Sequence, residues 1–207
     1  MPRTAKTVKP EEKQAAPEDI AMQLRTPALD SQPLRMSYRI ARGEQGVLTF
    51  EPYKSMLLPH WRFKNVPIAE TSSTTLWACF EHYVKAGDLV GADMARKFIQ
   101  MGMTRAKRYA NHKGGKKYDR SAREIEKDGG SRVELPKSEG HAGMDEKLQA
   151  SNVFREVWKR CTADERYLSL KVEFQAEQKE WDKEQKKVKK EESDVDAEVK
   201  SKEDDGD

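Results

Sequence analysis

The sequence predicts a mostly α domain of the α+β class: a small helical domain with an N-terminal β-hairpin, a long C-terminal helix and disordered tails. Apolar residues recur at helical spacing between residues 65 and 181. Two short β-prone runs flank the glycine-containing turn at residues 42–46. We therefore assign residues 1–36 to a disordered arm, 37–175 to a single globular domain, and 176–207 to a fraying helix and acidic tail.

Composition indicates a basic body and an acidic end. The chain has 207 residues, of which 36% are charged, well above the usual quarter or so. Residues 191–207 contain nine acidic residues and only two lysines, although the whole chain carries a formal charge of +3. A basic body fits an anionic partner, for which the acidic tail would compete.

Targeting signals and cysteines indicate a reducing compartment. Residues 1–30 lack the apolar run of a signal peptide, and no apolar stretch is long enough to cross a membrane. Cys79 and Cys161 each lie in an apolar helical pattern, which favours two buried free thiols over a disulfide. We expect a protein of the cytoplasm, with the nucleus as a second location, and no contact with a membrane.

The first fifty residues contain the predicted arm and hairpin. Five prolines are spread through residues 1–36 among polar residues, a composition typical of disorder. From residue 37 onward, β-prone residues surround Arg42-Gly43-Glu44-Gln45-Gly46. Two such runs around a two-glycine turn predict a β-hairpin.

Four helices are predicted after residue 64. The first begins near Asn65 and ends at Gly87, the second spans about 88–111, the third about 145–161, and the fourth starts at the capping-box spacing of residues 162–165. On the second helix, an apolar stripe through Phe98 lies opposite a polar stripe that includes Asp93 and Lys97. Residues 113–143 form a long polar loop, either functional or disordered.

The densest charge lies between residues 96 and 123, which hold ten basic residues and one acidic residue. Phosphate backbones attract such a surface, tyrosines stack on bases, and glycines admit close backbone approach. The alternative is a solvated helix face with a lysine-rich loop. The predicted polyanion-binding residues are Arg62, Lys64, Arg96, Lys97, Arg105, Lys107, Arg108, Tyr109, Asn111, His112, Lys113, Gly114, Gly115, Lys116 and Lys117.

Known chemical signatures are absent from the sequence. Zinc-finger spacing, an RNP motif and a basic region joined to heptads are all missing, so the predicted binding of nucleic acid or another phosphate-rich ligand involves no sequence-specific readout. The four histidines share no metal-ligand spacing. We expect no metal, no cofactor and no catalytic residue, and lean against an enzyme.

Two other functions stay open. A protein partner would bind the C-terminal helix through Phe174 and Trp181. An enzyme pocket would gather Glu44, Tyr53, His60, Arg62, Arg108 and His112. In the tail, Ser193 precedes two acidic residues and is a possible phosphorylation site.

Four stretches of the chain resemble an uncharacterised family of small cytoplasmic proteins of bacteria, fungi and phages, described as a domain of unknown function. They read RGEQGVL, LPHWRFK, GADMARKF and RYANHKGG, and the resemblance covers about residues 37–175. It implies the limits of the domain and no established activity. Lys107 and Lys116 stand where similar proteins are expected to have arginine, so the bidentate fork is missing there.

Overall fold

The computed structural model describes residues 15–204, with side chains described to residue 190, and the fold is all-α. The protein is 70% helical and has no strand among the described residues, so the predicted α+β class is wrong. The α-helices are α1 (Pro17–Met22), α2 (Pro27–Asp30), α3 (Gln32–Ser37), α4 (Tyr53–Leu57), α5 (Val66–Ala86), α6 (Leu89–Asn111), α7 (Ala122–Asp128), α8 (Met144–Ala163) and α9 (Glu165–Asp204). None of the helices described is long and apolar enough to span a membrane.

The predicted hairpin is a series of tight turns. Gln45 N donates to Arg42 O at 3.4 Å, and Val47 N donates to Glu44 O at 3.3 Å. Gly43 and Gly46 adopt positive φ angles of 66° and 81°, which glycine tolerates and which permit consecutive turns. The hairpin prediction failed because the carbonyls of Gly43 and Gln45 accept hydrogen bonds from side chains of α6 and not from a partner strand.

Three short helices occupy part of the segment predicted to be a disordered arm. Pro17, Pro27 and Pro33 each lie in the first turn of a helix. Backbone N–H groups in the first turn have no acceptor within the helix, so proline costs no hydrogen bond there. Ala28 and Met36 are buried in the main core. Proline spacing alone therefore did not distinguish a set of short helices from a disordered arm. Residues 1–14 lie outside the described part.

The junction between α5 and α6 confirms the predicted helix ends. The Asn65 side chain accepts a hydrogen bond from Ile68 N at 3.0 Å and caps α5. Gly87, at φ 80°, ends that helix in the left-handed conformation. The next residue, Asp88, caps α6 by accepting from Gly91 N at 3.0 Å. Two residues, Gly87 and Asp88, thus join two long helices.

Helix α6 lies at the centre of the fold. It packs against α5 and α8 along much of its length and also contacts α4 and α9. Every residue from 89 to 99 is buried, including Asp93 and Lys97, which are both fully inaccessible. The sequence analysis placed these two residues on a polar stripe opposite the apolar one. That interpretation is wrong for the first half of the helix, which has protein on all sides.

Five residues form a buried hydrogen-bonded group that we call the Asp93 cluster: Tyr38, Asp93, Arg96, Lys97 and Tyr167. Asp93 accepts hydrogen bonds from Tyr38 Oη at 2.5 Å, Tyr167 Oη at 2.7 Å and Arg96 Nε at 2.8 Å. Lys97 Nζ lies 3.4 Å from Asp93 Oδ2 and donates to Gln45 O at 3.0 Å. The cluster therefore connects the segment before the turns, α6 and α9.

The charges of the cluster depend on one another. Burial by itself would raise the pKa of Asp93, but Arg96, Lys97 and the two tyrosine hydroxyls outweigh it and hold this pKa below its usual range. Burial lowers the pKa of Lys97, and Asp93 opposes that shift. Asp93 is therefore ionised at neutral pH, and it compensates one cation that is fully buried, Lys97, and one that is mostly buried, Arg96.

Helix α9 is fastened to the N-terminal segment by polar contacts. Gln178 Nε2 donates to Tyr38 O at 2.6 Å and to Met36 O at 3.2 Å. Arg39 forms a two-point ion pair with Asp182, with N–O distances of 2.7 and 2.9 Å. The two ends of the folded region are thereby joined across about 140 residues of sequence.

Residues 113–143, for which the sequence left order or disorder open, have defined local structure. Ser121 and Glu124 form a capping box at the start of α7, and an isolated antiparallel bridge pairs Tyr118 with Glu134. Ser138 N donates to Asn111 O at 2.8 Å. The segment thus leaves the end of α6 and returns to it.

We expect Asp93→Asn to reduce the free energy of unfolding by about 3–5 kcal/mol, because it leaves Arg96 and Lys97 buried without their counter-ion. Urea denaturation followed by tryptophan fluorescence would measure the loss. Tyr167→Phe removes only one donor to Asp93 and serves as the control. An Asp93→Asn loss no larger than that of Tyr167→Phe would contradict the assigned role.

We expect Gly102→Ala to destabilise the fold by about 1–3 kcal/mol through overpacking. A Cβ at residue 102 would lie 2.6 Å from the ring of Phe154 on α8. Thermal unfolding of Gly102→Ala, Phe154→Leu and the double variant would test this. The leucine should make room for the methyl group, so strictly additive losses would refute the close approach.

Candidate functional site

The largest cavity described is an open cleft of about 910 Å³, which we call the aromatic–basic cleft. The extended segment 61–64, the last turns of α6 and the first turn of α8 form its walls. Its lining residues are Lys54, Ser55, Leu58, Pro59, Trp61, Arg62, Phe63, Lys64, Tyr109 and Lys147. The cleft thus combines aromatic rings with cationic side chains.

The extended segment is held by hydrogen bonds from two helices. Arg62 N donates to Ser72 Oγ of α5 at 2.9 Å, and that hydroxyl donates to His60 O at 2.7 Å. On the other side, Lys147 Nζ of α8 donates to Phe63 O at 2.8 Å and to Lys64 O at 2.6 Å. These contacts fix the backbone of residues 61–64, all four of which line the cleft.

Three aromatic rings run along the cleft. The Trp61 and Phe63 ring centroids lie 5.0 Å apart, and those of Phe63 and Tyr109 lie 5.9 Å apart. Trp61 also packs edge-on against Phe98 of the core at 6.4 Å, which fixes one end of the row. Tyr109 is 38% exposed, so the other end offers part of its ring to solvent.

Four cations stand around these rings. Arg62 and Lys64 are exposed, whereas Lys54 and Lys147 are partly buried. Arg62 donates to Trp61 O at 2.8 Å and Leu58 O at 3.2 Å, and Lys54 pairs with Glu51. Among the lining residues none is acidic. The cleft therefore has an apolar floor with a positive rim, an arrangement suited to a flat aromatic group carrying negative charge.

A second, smaller cavity of about 300 Å³ lies on the other side of the end of α6, and we call it the His112 cavity. It is lined by Thr104, Lys107, Arg108, Asn111, His112, Lys117, Glu134 and Lys137. His112 is buried, with 4% of its surface exposed. Five residues predicted to bind a polyanion thus meet in this cavity, namely Lys107, Arg108, Asn111, His112 and Lys117.

The other predicted binding residues divide between surface and core. Arg62, Lys64 and Tyr109 line the aromatic–basic cleft. Lys113, Gly114 and Lys116 are exposed, while Arg105 and Gly115 are partly buried. Arg96 and Lys97 are buried in the Asp93 cluster, so these two cations face a carboxylate inside the protein and belong to no exposed surface.

Sequence reasoning did not identify Lys54, Trp61, Phe63 or Lys147 as site residues. Lys147 lies far along the chain from the segment that it holds, 84 residues after Phe63, so its position depends on how α8 packs. The aromatic–cation alternation at residues 60–64 was the available signal for Trp61 and Phe63. That pattern is typical of an extended segment, but it does not show whether the rings face the core or a cleft.

The residues of the suggested enzyme pocket lie in different parts of the protein. Tyr53 is in the core, where it donates to Asp88 at 2.5 Å. His60 and Arg62 line a small cavity beside α1 and α5. Arg108 and His112 line the His112 cavity, and Glu44 accepts from Thr104 at 2.9 Å. The six side chains therefore do not converge on one substrate.

The residues suggested for a protein partner have contacts within the domain. Phe174 is buried and lies edge-on to Tyr38 with ring centroids 6.4 Å apart. Trp181 is partly buried against the core. The side chain of Ser193, the suggested phosphorylation site, lies outside the described residues.

Comparison with known proteins gives one match. A family model with the description "Domain of unknown function (DUF4385)" matches residues 21–177, from α1 into α9. The expected kinship with a domain of unknown function is thereby confirmed. No curated protein matches the chain, and no solved structure does.

We expect Lys147 to have a pKa below the ordinary lysine value of about 10.4. Burial is the main cause, and the nearby charge of Lys64 adds to it, while Glu146 acts in the opposite direction. Titration of ¹³C-lysine-labelled protein by NMR, with Lys147→Arg for assignment, would measure this pKa. In a Lys64→Gln variant the pKa should rise, and an unshifted wild-type value would contradict the geometry.

Proposed function

The chain belongs to the DUF4385 family, and because that membership assigns no activity, we propose a function from the geometry of the cleft. The protein binds single-stranded nucleic acid without sequence-specific readout. Bases stack in the aromatic–basic cleft, and the phosphates of the strand run along its positive rim and onto the exposed lysines that follow α6.

The observation that carries this proposal is the row of Trp61, Phe63 and Tyr109 between four cations. Proteins that bind single strands combine rings on which bases stack with a positive groove that follows the backbone. Such rings accept any base, because every base has a π face. Bases in a duplex are already stacked on each other, which is why the arrangement favours a single strand.

Tyr109 connects the cleft with the predicted basic helix–loop segment. It lies on α6 two residues after Lys107, and Gly115 packs directly against its ring. A Cβ at residue 115 would lie 2.7 Å from Tyr109, and the φ of 72° also favours glycine. This close packing places the turn with Lys113 and Lys116 beside the ring, so a strand that leaves the cleft meets exposed lysines.

Electrostatics favours the same ligand. Of the two cavities at the end of α6, the cleft has four cations and no acidic residue in its lining, and the His112 cavity has four cations and one acidic residue. Neutralising phosphates with lysine and arginine releases counterions and supplies most of non-specific affinity. Arg96 and Lys97 are excluded from this surface because they pair with Asp93.

We expect fluorescence anisotropy with labelled single-stranded DNA and RNA to show binding that weakens steeply between about 50 and 200 mM salt. Tyr109→Ala should weaken binding by about 5- to 150-fold, since a stacked base contributes about 1–3 kcal/mol. Arg62→Glu/Lys64→Glu should remove most binding at the higher salt concentration.

The matched control is Lys186→Glu/Lys187→Glu, which makes the same charge change at exposed positions of α9. It should retain most of the affinity. All variants need the wild-type melting temperature. Absence of binding at low salt, or equal losses in the two charge-reversal variants, would contradict the proposed cleft.

A further inference from the structure

The segment after α7 returns to the end of α6 and forms one wall of the His112 cavity. Leu135 N donates to Lys117 O at 2.9 Å, and Ser138 N donates to Asn111 O at 2.8 Å. His141 Nε2 lies 3.0 Å from Tyr109 O. The contacts to Asn111 O and Tyr109 O occupy carbonyls of the last turn of α6, which would otherwise repel an anion.

The cavity has more positive charge than its own residues neutralise. Of its four cations, Lys117 pairs with Glu134 at 3.4 Å. Lys107, Arg108 and Lys137 make no ion pair or side-chain hydrogen bond within the part of the chain that is described. Three cations that border one small cavity without an internal counter-ion indicate an anionic ligand.

His112 adds a polar group at the inner side of this cavity. The residue is buried, and its Nδ1 has no hydrogen-bond partner among the described residues. A buried ring nitrogen without a partner is costly, and most such groups in native proteins are satisfied by protein, water or ligand. Because His112 also lines the cavity, its ring resonances report on a ligand bound there.

We infer that the His112 cavity binds a phosphomonoester group. Such a group carries about −1.5 to −2 charges near pH 7 and has three strong acceptor oxygens. Arg108 offers a two-point fork to these oxygens, with Lys107 and Lys137 at the mouth and His112 behind. A carboxylate or a phosphodiester brings one charge and leaves more of the positive charge uncompensated. At about 300 Å³, the cavity is at the lower end of the range for ligand pockets.

We take the phosphomonoester to be the terminal phosphate of the strand held in the cleft, and in that respect the inference rests on the proposed function. Arg108 lines the His112 cavity and its neighbour Tyr109 lines the aromatic–basic cleft. The two sites lie on opposite sides of the same helical turn, so a strand whose terminal base stacks on Tyr109 has to pass around this turn for its end to enter the His112 cavity.

The test compares short oligonucleotides of one sequence with a 5′-phosphate, a 3′-phosphate or hydroxyl groups at both ends, together with inorganic phosphate alone. Affinities come from anisotropy competition, and the His112 ring resonances are followed by NMR. One phosphorylated form should bind about 10- to 100-fold more tightly than the hydroxyl form, as charge-assisted hydrogen bonds would give. Inorganic phosphate should shift the His112 resonances.

Two variants assign the effect to the cavity. Arg108→Gln should abolish the preference for the phosphorylated end, so that the phosphorylated and hydroxyl forms bind this variant with equal affinity. Lys64→Gln, in the cleft, should weaken both forms by a similar factor. Lys64 is exposed and Arg108 is partly buried, and equal melting temperatures would show that the fold is intact.

The outcomes separate the two proposals. If no oligonucleotide binds but phosphate shifts the His112 resonances of wild type and not of Arg108→Gln, the phosphomonoester site stands and the strand-binding function fails. If all oligonucleotides bind equally and phosphate leaves His112 unchanged, the phosphomonoester site is overturned and strand binding stands.

Discussion

The ionised carboxylate of Asp93 is the interaction on which the rest of the structure depends. Desolvating three charged groups on one helix is expensive, and a buried cation left without its partner costs several kcal/mol. Asp93 offsets this cost through four contacts, while the carbonyls of Gly43 and Gln45 complete the shells of Arg96 and Lys97. The turns at residues 42–47 direct these two carbonyls towards the buried cations of α6.

The same constraint explains which parts of the fold were predictable. Helix ends are encoded by neighbouring residues, so Asn65, Gly87 and Asp88 could be read from the sequence. The burial of Lys97 depends on Gln45, which is 52 residues away, and on Asp93, which is itself bonded to Tyr38 across 55 residues. A polar stripe on a helix has the same sequence pattern whether its side chains contact water or a buried carboxylate. The hairpin was also misassigned because the hydrogen bonds to Gly43 O and Gln45 O come from residues distant in the sequence.

The basic character of the candidate site could be predicted from the sequence, but the set of residues that the fold brings together there could not. The excess of basic residues near the end of α6 is a local property, and Arg62, Lys64 and Tyr109 do line the cleft. The density of charge between residues 96 and 123 is distributed by the fold among the core, the cleft, the His112 cavity and the exposed loop. Lys147 joins the site only because α8 packs beside the extended segment, which no local pattern records.

The Asp93 cluster also has a consequence for biosynthesis. Tyr167 follows Asp93 by 74 residues, and ribosomes add about 5–20 residues per second. A nascent chain thus carries Arg96, Lys97 and Asp93 for about 4–15 s before the second hydroxyl donor is translated. Until then α6 cannot be enclosed by α8 and α9 in its final arrangement. The order of synthesis therefore delays completion of the Asp93 cluster until α9 begins to be made, and a chain truncated before α9 would leave the charged residues of α6 partly exposed to solvent.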